Sequence, residues 1–269
     1  MNILLLFLRK DLREIRTNKQ VWPVYFVFPP LGLFLPLIFV IFMPAALTSE
    51  AEKADPITKS IISLVQSTPE FSGMSVEEAL ARFLMRNMTA FFLLMPLGIA
   101  SISAAFSIVG EKQQRTLEPL LATPISDEKF MLGKMLASSV PAILVTWATA
   151  ALAVPIVDIV TLKLYGAAIL PDRFWLVAIL LLVPLVAFSA VLATMRVSAR
   201  MTDPQATNQF AGIVILPVFI LVLGVFGKLI TLNFLALSIA CLVVLLVNIY
   251  LFRLNLRKFQ REEILTKWK

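Results

Sequence analysis

GEKQQRTLEPLLATPISDEKFMLGK, residues Gly110 to Lys134, interrupts a sequence that is otherwise strongly apolar. Hydrophobic residues make up 59% of the chain and charged ones 15%, with a mean hydropathy of +0.89. A soluble domain carries about a quarter charged residues, and the polar groups here could not cover so much apolar surface. On either side of the stretch lie apolar runs of about 18 residues or more, the length that crosses a bilayer core of roughly 30 Å. The chain therefore reads as an all-α integral membrane protein, with Gly110–Lys134 as a polar excursion between two spans.

Hydropathy gives six transmembrane helices. They are Val21–Ala46, Met88–Val109, Met135–Val157, Phe174–Met195, Phe210–Phe226 and Leu232–Phe252. Only Gly227 to Thr231 separates the last two, which predicts a tight hairpin. An even number of spans returns both termini to one side, and the distribution of Lys and Arg says which. One side collects Arg9, Lys10, Arg13, Arg16 and Lys19 with Lys112, Arg115, Lys129 and Lys134 of the loop. It also holds Arg196, Arg200, Arg253, Arg257, Lys258, Arg261, Lys267 and Lys269. The other side has Lys53, Lys59, Arg82, Arg86, Lys163, Arg173 and Lys228. The 24 cations divide seventeen to seven, so the termini and the 110–134 loop are expected in the cytoplasm. Most of the net charge of +7 is then topological, and the rest suits anionic headgroups of the cytoplasmic leaflet. No nucleic-acid partner is expected, since no soluble domain presents a basic patch.

Several chemistries are excluded. There is no histidine, and the single cysteine, Cys241, lies inside an apolar run; intrachain disulfides, histidine catalysis and histidine-based metal sites are out. No G-x-x-x-x-G-K-[ST] phosphate loop occurs, because Gly227-Lys228 lacks both the leading glycine and the hydroxyl. The chain is not expected to be an enzyme. On these boundaries the spans contain no Asp, Glu, Lys or Arg, which argues against an ion-coupled carrier. Their polar residues are mild. Ser101, Ser103 and Ser107 in the second span and Thr146 and Thr149 in the third are candidates for a weakly polar substrate path, against helix–helix hydrogen bonding as the simpler role.

The flanking segments have their own logic. MNILLLFLRKDLREIR lacks a small-residue cleavage site and does not read as a signal peptide. Wound at about 100° per residue, it puts Leu4, Leu5, Leu8, Leu12 and Ile15 in one sector, predicting an amphipathic helix lying in the interface over residues 1–20. Pro23, Pro29, Pro30, Pro36 and Pro44 crowd the first span. Each removes a donor, so a neighbouring group must satisfy the freed carbonyls. In the external segment 47–87, Asp55-Pro56 starts one helix. Ser75-Val76-Glu77-Glu78 is a capping box that starts another, with Glu78 expected to reach back to Ser75.

In the opening stretch itself, Leu117, Leu120, Leu121 and Pro124 present an apolar edge beside Arg115, Glu118 and Thr123. Pro119 suits the first turn of a short helix, Thr123-Pro124 ends it, and Ser126 caps the next, with Asp127 and Glu128 at the positive end of its dipole. A short amphipathic helix outside the membrane either lies on the lipid surface or docks into a groove of a soluble partner.

The run E-K-x-x-x-T-L-E-P-L-L-A-T-P-I-S…G-K, from Glu111 to Lys134, resembles the signature of the ATP-binding cassette type-2 membrane permeases, in particular their sodium- and drug-export branch. Asp203-Pro204-Gln205-Ala206-Thr207-Asn208-Gln209 is similar to the family's second cytoplasmic loop. Arg115 stands where many members carry glycine. The resemblance implies that residues 111–124 form a cytoplasmic coupling helix seated in a groove of a separate ATPase subunit. Leu117, Leu120 and Leu121 would supply the packing, Glu111, Arg115 and Glu118 the polar anchoring, and Thr116, Thr123 and Pro124 the rest of the motif. It further implies a six-span permease domain over 21–269, with external segment 47–87, coupling loop 110–134 and cytoplasmic tail 253–269. A second permease subunit follows, most simply in a homodimer rather than a heterodimer, in the cytoplasmic membrane of a prokaryote. ATP and magnesium are expected on the partner ATPase and no cofactor in this chain. The alternative function is a membrane scaffold or assembly factor whose loop docks a non-ATPase cytoplasmic protein.

Overall fold

A bilayer offers the backbone no hydrogen-bond partners, so a chain this apolar must satisfy its peptide groups internally. The computed structural model describes residues 9–10, 13, 18–19, 21–49, 56–113, 126–198, 201, 203, 206–207, 209 and 234–258, and among them it does so with helices and no strand. The principal helices are α1 (Trp22–Ser49), α2 (Pro56–Ser67), α3 (Val76–Gln113), α4 (Asp127–Tyr165), α5 (Arg173–Ser198) and α6 (Phe234–Lys258). Five of them, all but the short α2, are long and apolar enough to cross a membrane. They coincide with five of the six expected spans. The remaining one, Phe210–Phe226, lies outside the described residues, as do its hairpin and most of the 1–20 helix.

The helices outrun their apolar runs at both ends. α3 takes in Val76–Asn87 of the external segment and Gly110–Gln113 of the loop; α4 begins at Asp127, capped by the Ser126 hydroxyl accepting from the Lys129 N–H. α3 is also the centre of the bundle. Its apolar window is 78% buried, against 17% for α1 and 11% for α6, and it packs on α1, α4 and α5. α6 leans mainly on α5, leaving Leu242, Leu246 and Tyr250 exposed, as Phe26, Phe34 and Phe42 are on α1. Gly98 of α3 admits the Phe28 ring of α1, since a Cβ there would lie 2.6 Å from the ring.

Outside the apolar run, α2 folds back onto the start of α3 around Val65, Phe71, Ala79 and Leu80. The Ser75 hydroxyl accepts from the Glu78 N–H as expected, but the return half of the capping box is not made. Glu78 instead takes Nε and Nη2 of Arg82. An ion pair one turn along the helix outcompetes a neutral N–H for the carboxylate.

Two of the prolines find compensation in neighbouring helices. α1 runs through Pro29, Pro30, Pro36 and Pro44. Pro44 has no N–H for the carbonyl of Val40, and the Tyr165 hydroxyl, from the end of α4, donates to that oxygen at 2.8 Å. In α5 a π-helical turn, Ala178–Leu182, precedes Pro184. Val183 N–H goes to the Ala178 carbonyl instead of Ile179, and the freed Ile179 oxygen accepts from Trp147 Nε1 at 2.9 Å. Between α5 and α6, Asn248 Nδ2 donates to the Leu185 carbonyl (2.8 Å) and Asn255 Nδ2 to that of Leu192 (2.9 Å). α4 ends at Gly166, whose φ of 73° is a conformation a side chain would resist. Asp158 then holds the following turn, accepting from the N–H groups of Ile169 and Leu170.

Candidate functional site

The loop that the sequence singles out is entered from α3 and left through α4, and the two helices meet at its base. Glu111, in the last turn of α3, is 3% exposed; Lys134, two turns into α4, is 1% exposed. Lys134 Nζ lies 2.8 Å from Glu111 Oε1 and donates to Ser107 Oγ at 2.7 Å. The same carboxylate oxygen receives the ammonium of Lys10, from the N-terminal segment. One carboxylate thus joins three parts of the chain that are far apart in sequence.

The next residue points elsewhere. Lys112, 6% exposed, donates to the Ser198 carbonyl at the end of α5 and lies 3.4 Å from the Met201 carbonyl. A cation at a helix C-terminus satisfies carbonyls that lack an intrahelical donor and complements the negative end of the dipole. Glu111 and Lys112 therefore fasten the end of α3 to α4 on one side and to α5 on the other. Beyond Met201, Asp203 caps a short turn, accepting from the Ala206 N–H while its carbonyl takes the Thr207 hydroxyl. This belongs to the stretch that resembles the second cytoplasmic loop.

The expected docking residues divide accordingly. Glu111 is an inward-facing member of the α3 base rather than part of a separate helix. Arg115, Thr116, Leu117, Glu118, Leu120, Leu121, Thr123 and Pro124 lie outside the described residues. Lys10, which the sequence suggested only as a topological marker, and Lys112 and Lys134, which it gave as markers and as part of the signature run, turn out to hold the helices together. A signal existed for Lys134: it sits in the phase of Phe130, Met131, Ala137 and Ser138, all on the buried stripe of α4.

The candidate path residues are distributed through the α1–α3–α4 contact. Ser103 shares a 3.1 Å hydrogen bond with Tyr25 of α1, and Ser107 is the Lys134 acceptor. Thr146 and Thr149 turn their hydroxyls onto the carbonyls of Ala142 and Val145, one turn back in their own helix. Ser101 Oγ is buried without a hydrogen-bond partner among the described residues. Those residues contain no cluster of three or more metal-ligating side chains.

The arrangement buries a shared carboxylate where the helices meet, and the described residues show no nucleophile paired with a base. Residues 51–257 match the model of the ABC-2 family transporter protein. Comparison with curated proteins returns no match. The matched region is well over half of the chain and takes in α2 to α6 with both ends of the loop. The chain is a multi-pass membrane protein that belongs to the ABC-2 family of transporter proteins, the membrane components of ATP-binding cassette transporters.

Proposed function

We propose that this chain is the permease subunit of an ATP-driven exporter, and that the segment between Gln113 and Ser126 is the element through which a separate ATPase subunit moves it. The observation that carries the reading is the Glu111–Lys134 pair. A loop whose two ends are joined by a buried ion pair cannot be displaced without taking α3 and α4 along. α3 lies at the centre of the bundle, so a push on the loop reaches the middle of the membrane. Leu117, Leu120 and Leu121 supply the apolar edge for the ATPase groove.

ATP and magnesium bind on the ATPase, in keeping with the lack of a phosphate loop here. Nucleotide shifts the permease between states only by as much as it binds them differently. Two copies of this chain around an axis normal to the membrane complete the pathway, in a prokaryotic cytoplasmic membrane with both termini inside. The weakly polar interior suits a hydrophobic or amphipathic cargo.

The test is purification from the native host in mild detergent, with associated proteins identified and ATP hydrolysis measured. A stoichiometric soluble partner with a phosphate loop, lost from Leu120→Asp/Leu121→Asp protein that still folds, is the expected result. Retention of that partner by the double variant would overturn the docking assignment. Recovery of a non-ATPase partner instead would make the chain a scaffold.

A further inference from the structure

At the end of α3 remote from Glu111 there is a cavity of about 110 Å³ between α3, the Pro69–Phe71 turn and the start of α5. The rise from Arg86 to Glu111 along the helix is about 37 Å at 1.5 Å per residue, somewhat more than the thickness of a hydrocarbon core. With Glu111 at one membrane surface, the cavity lies at the level of the opposite headgroups.

Its apolar wall is formed by residues such as Phe71, Met74 and Met85, and its polar wall is rich in N–H donors. Arg82 is oriented by Glu78 Oε1 through Nε and Nη2, and by the Ala168 carbonyl at 3.1 Å through Nη2. Arg86 is stacked between aromatic rings, its Cζ 5.7 Å from the Phe71 centroid and 5.3 Å from that of Phe174. Trp175, 4% exposed, has an indole N–H that is buried with no hydrogen-bond partner among the described residues.

Two carboxylates nearby, Glu78 and Asp172, are already engaged. Glu78 holds Arg82; Asp172 Oδ1 accepts from the Trp175 backbone N–H at 2.6 Å, and its Oδ2 lies 3.4 Å from Arg86 Nη2. Among the described residues, Arg82 Nη1 is left without a protein acceptor. A buried donor without a partner is costly, and guanidinium groups match phosphate oxygens better than any other side chain does. A cavity this size accommodates a phosphate group but not a lipid, so acyl chains would lie outside it.

We propose that this cavity binds a phosphate oxyanion at the surface opposite the coupling loop, with an anionic phospholipid headgroup as its source. The site is independent of the ATPase and of what is transported. Arg82 supplies the hydrogen bonds, Arg86 the fixed charge, and Met74 and Met85 the apolar boundary.

The experiment is native mass spectrometry of the full-length protein, titrated with phosphatidylglycerol or phosphatidylcholine, for wild type, Arg82→Gln and Met74→Trp. Wild type should retain one phosphatidylglycerol with a preference of about tenfold or more, as two interfacial arginines allow. Arg82→Gln removes charge and fixed donors; Met74→Trp fills the space and leaves every charge in place. Loss of the preference in both is the expected result. If Arg82→Gln does not fold, Met74→Trp decides alone. Added inorganic phosphate separates the sources: lipid retained in its presence identifies the headgroup as the ligand, while displacement identifies the free oxyanion. Equal retention of the two lipids by wild type, or a preference that survives in each variant that folds, would overturn the proposal.

Discussion

Lys134 Nζ and Glu111 Oε1 lie 2.8 Å apart, with side chains 1% and 2% exposed, and the same oxygen also receives Lys10, whose side chain is 39% exposed. One carboxylate between two ammonium groups sets an order of costs. Glu111→Gln leaves two cations together, one deeply buried, an uncompensated charge of the kind that costs about 3–5 kcal/mol. Lys134→Met leaves Glu111 its pairing with Lys10 and should cost less. Lys10→Ala removes the exposed member and should cost under about 1 kcal/mol. Thermal unfolding of the three variants in detergent measures the order. A Glu111 variant as stable as the Lys134 one would mean the carboxylate is not shared.

The Tyr165 hydroxyl and Pro44 should be energetically coupled although they do not bond to each other. Tyr165 serves the Val40 carbonyl only because Pro44 cannot. Tyr165→Phe should therefore cost about 1–3 kcal/mol in the wild-type background, the penalty for a buried acceptor left without a donor. In a Pro44→Ala background the helix supplies its own N–H, and the same change should cost little. A double-mutant cycle on unfolding free energies reads the difference directly; additive effects would show that the hydroxyl does something else.

Much of this architecture was legible because the solvent is a bilayer. An apolar run long enough to span it has one local solution, so α1, α3, α4, α5 and α6 appear where hydropathy places them. Ser126 was legible as a cap because an N-cap needs only a hydroxyl and the residues just after it. What could not be read was whatever depends on a second helix. Tyr165 gives no sequence sign that it answers Pro44. Lys134 resembles any loop cation until its helical phase is set beside Phe130 and Met131. Glu78 satisfies the capping pattern, yet its carboxylate goes to Arg82, because the motif does not weigh the competing ion pair. At the candidate site the sequence singled out the segment but not the lock beneath it, whose members come from residues 10, 111 and 134.

The α5–α6 contact offers a test of additivity. Asn248 and Asn255 are seven residues apart, as are their acceptors Leu185 and Leu192, so two turns of each helix separate two similar links. Asn248 Oδ1 also accepts from Ser189 at 2.7 Å. Hydrogen bonds between membrane helices are worth about 0.6 kcal/mol on average and up to about 1.7. Asn248→Leu should fall toward the upper end and Asn255→Leu nearer the mean. The sites are about 10 Å apart along the helix, far enough for the double variant to show the sum within about 0.5 kcal/mol. A large positive or negative excess would mean that α6 detaches as a unit.

Thiol labelling can test the orientation with little background, because Cys241 is the single cysteine and lies within α6. In a Cys241→Ala chain, Ser72→Cys precedes α3 and Lys129→Cys follows the loop, both at exposed positions. A membrane-impermeant maleimide added to intact cells should label the first and leave the second untouched; inside-out vesicles should reverse the pattern. The physical basis is the excess of Lys and Arg on the loop side. Lys10, Lys112 and Lys134 are occupied with protein groups rather than lipid, yet discounting them still leaves fourteen cations against seven. The loop side therefore keeps its excess of cations without those three. Both positions labelled from one side would mean that α3 does not cross the membrane once, and the loop could not face a partner across from the phosphate cavity. Opposite sides in the inverted sense would put the loop outside the cell, where no ATPase could reach it.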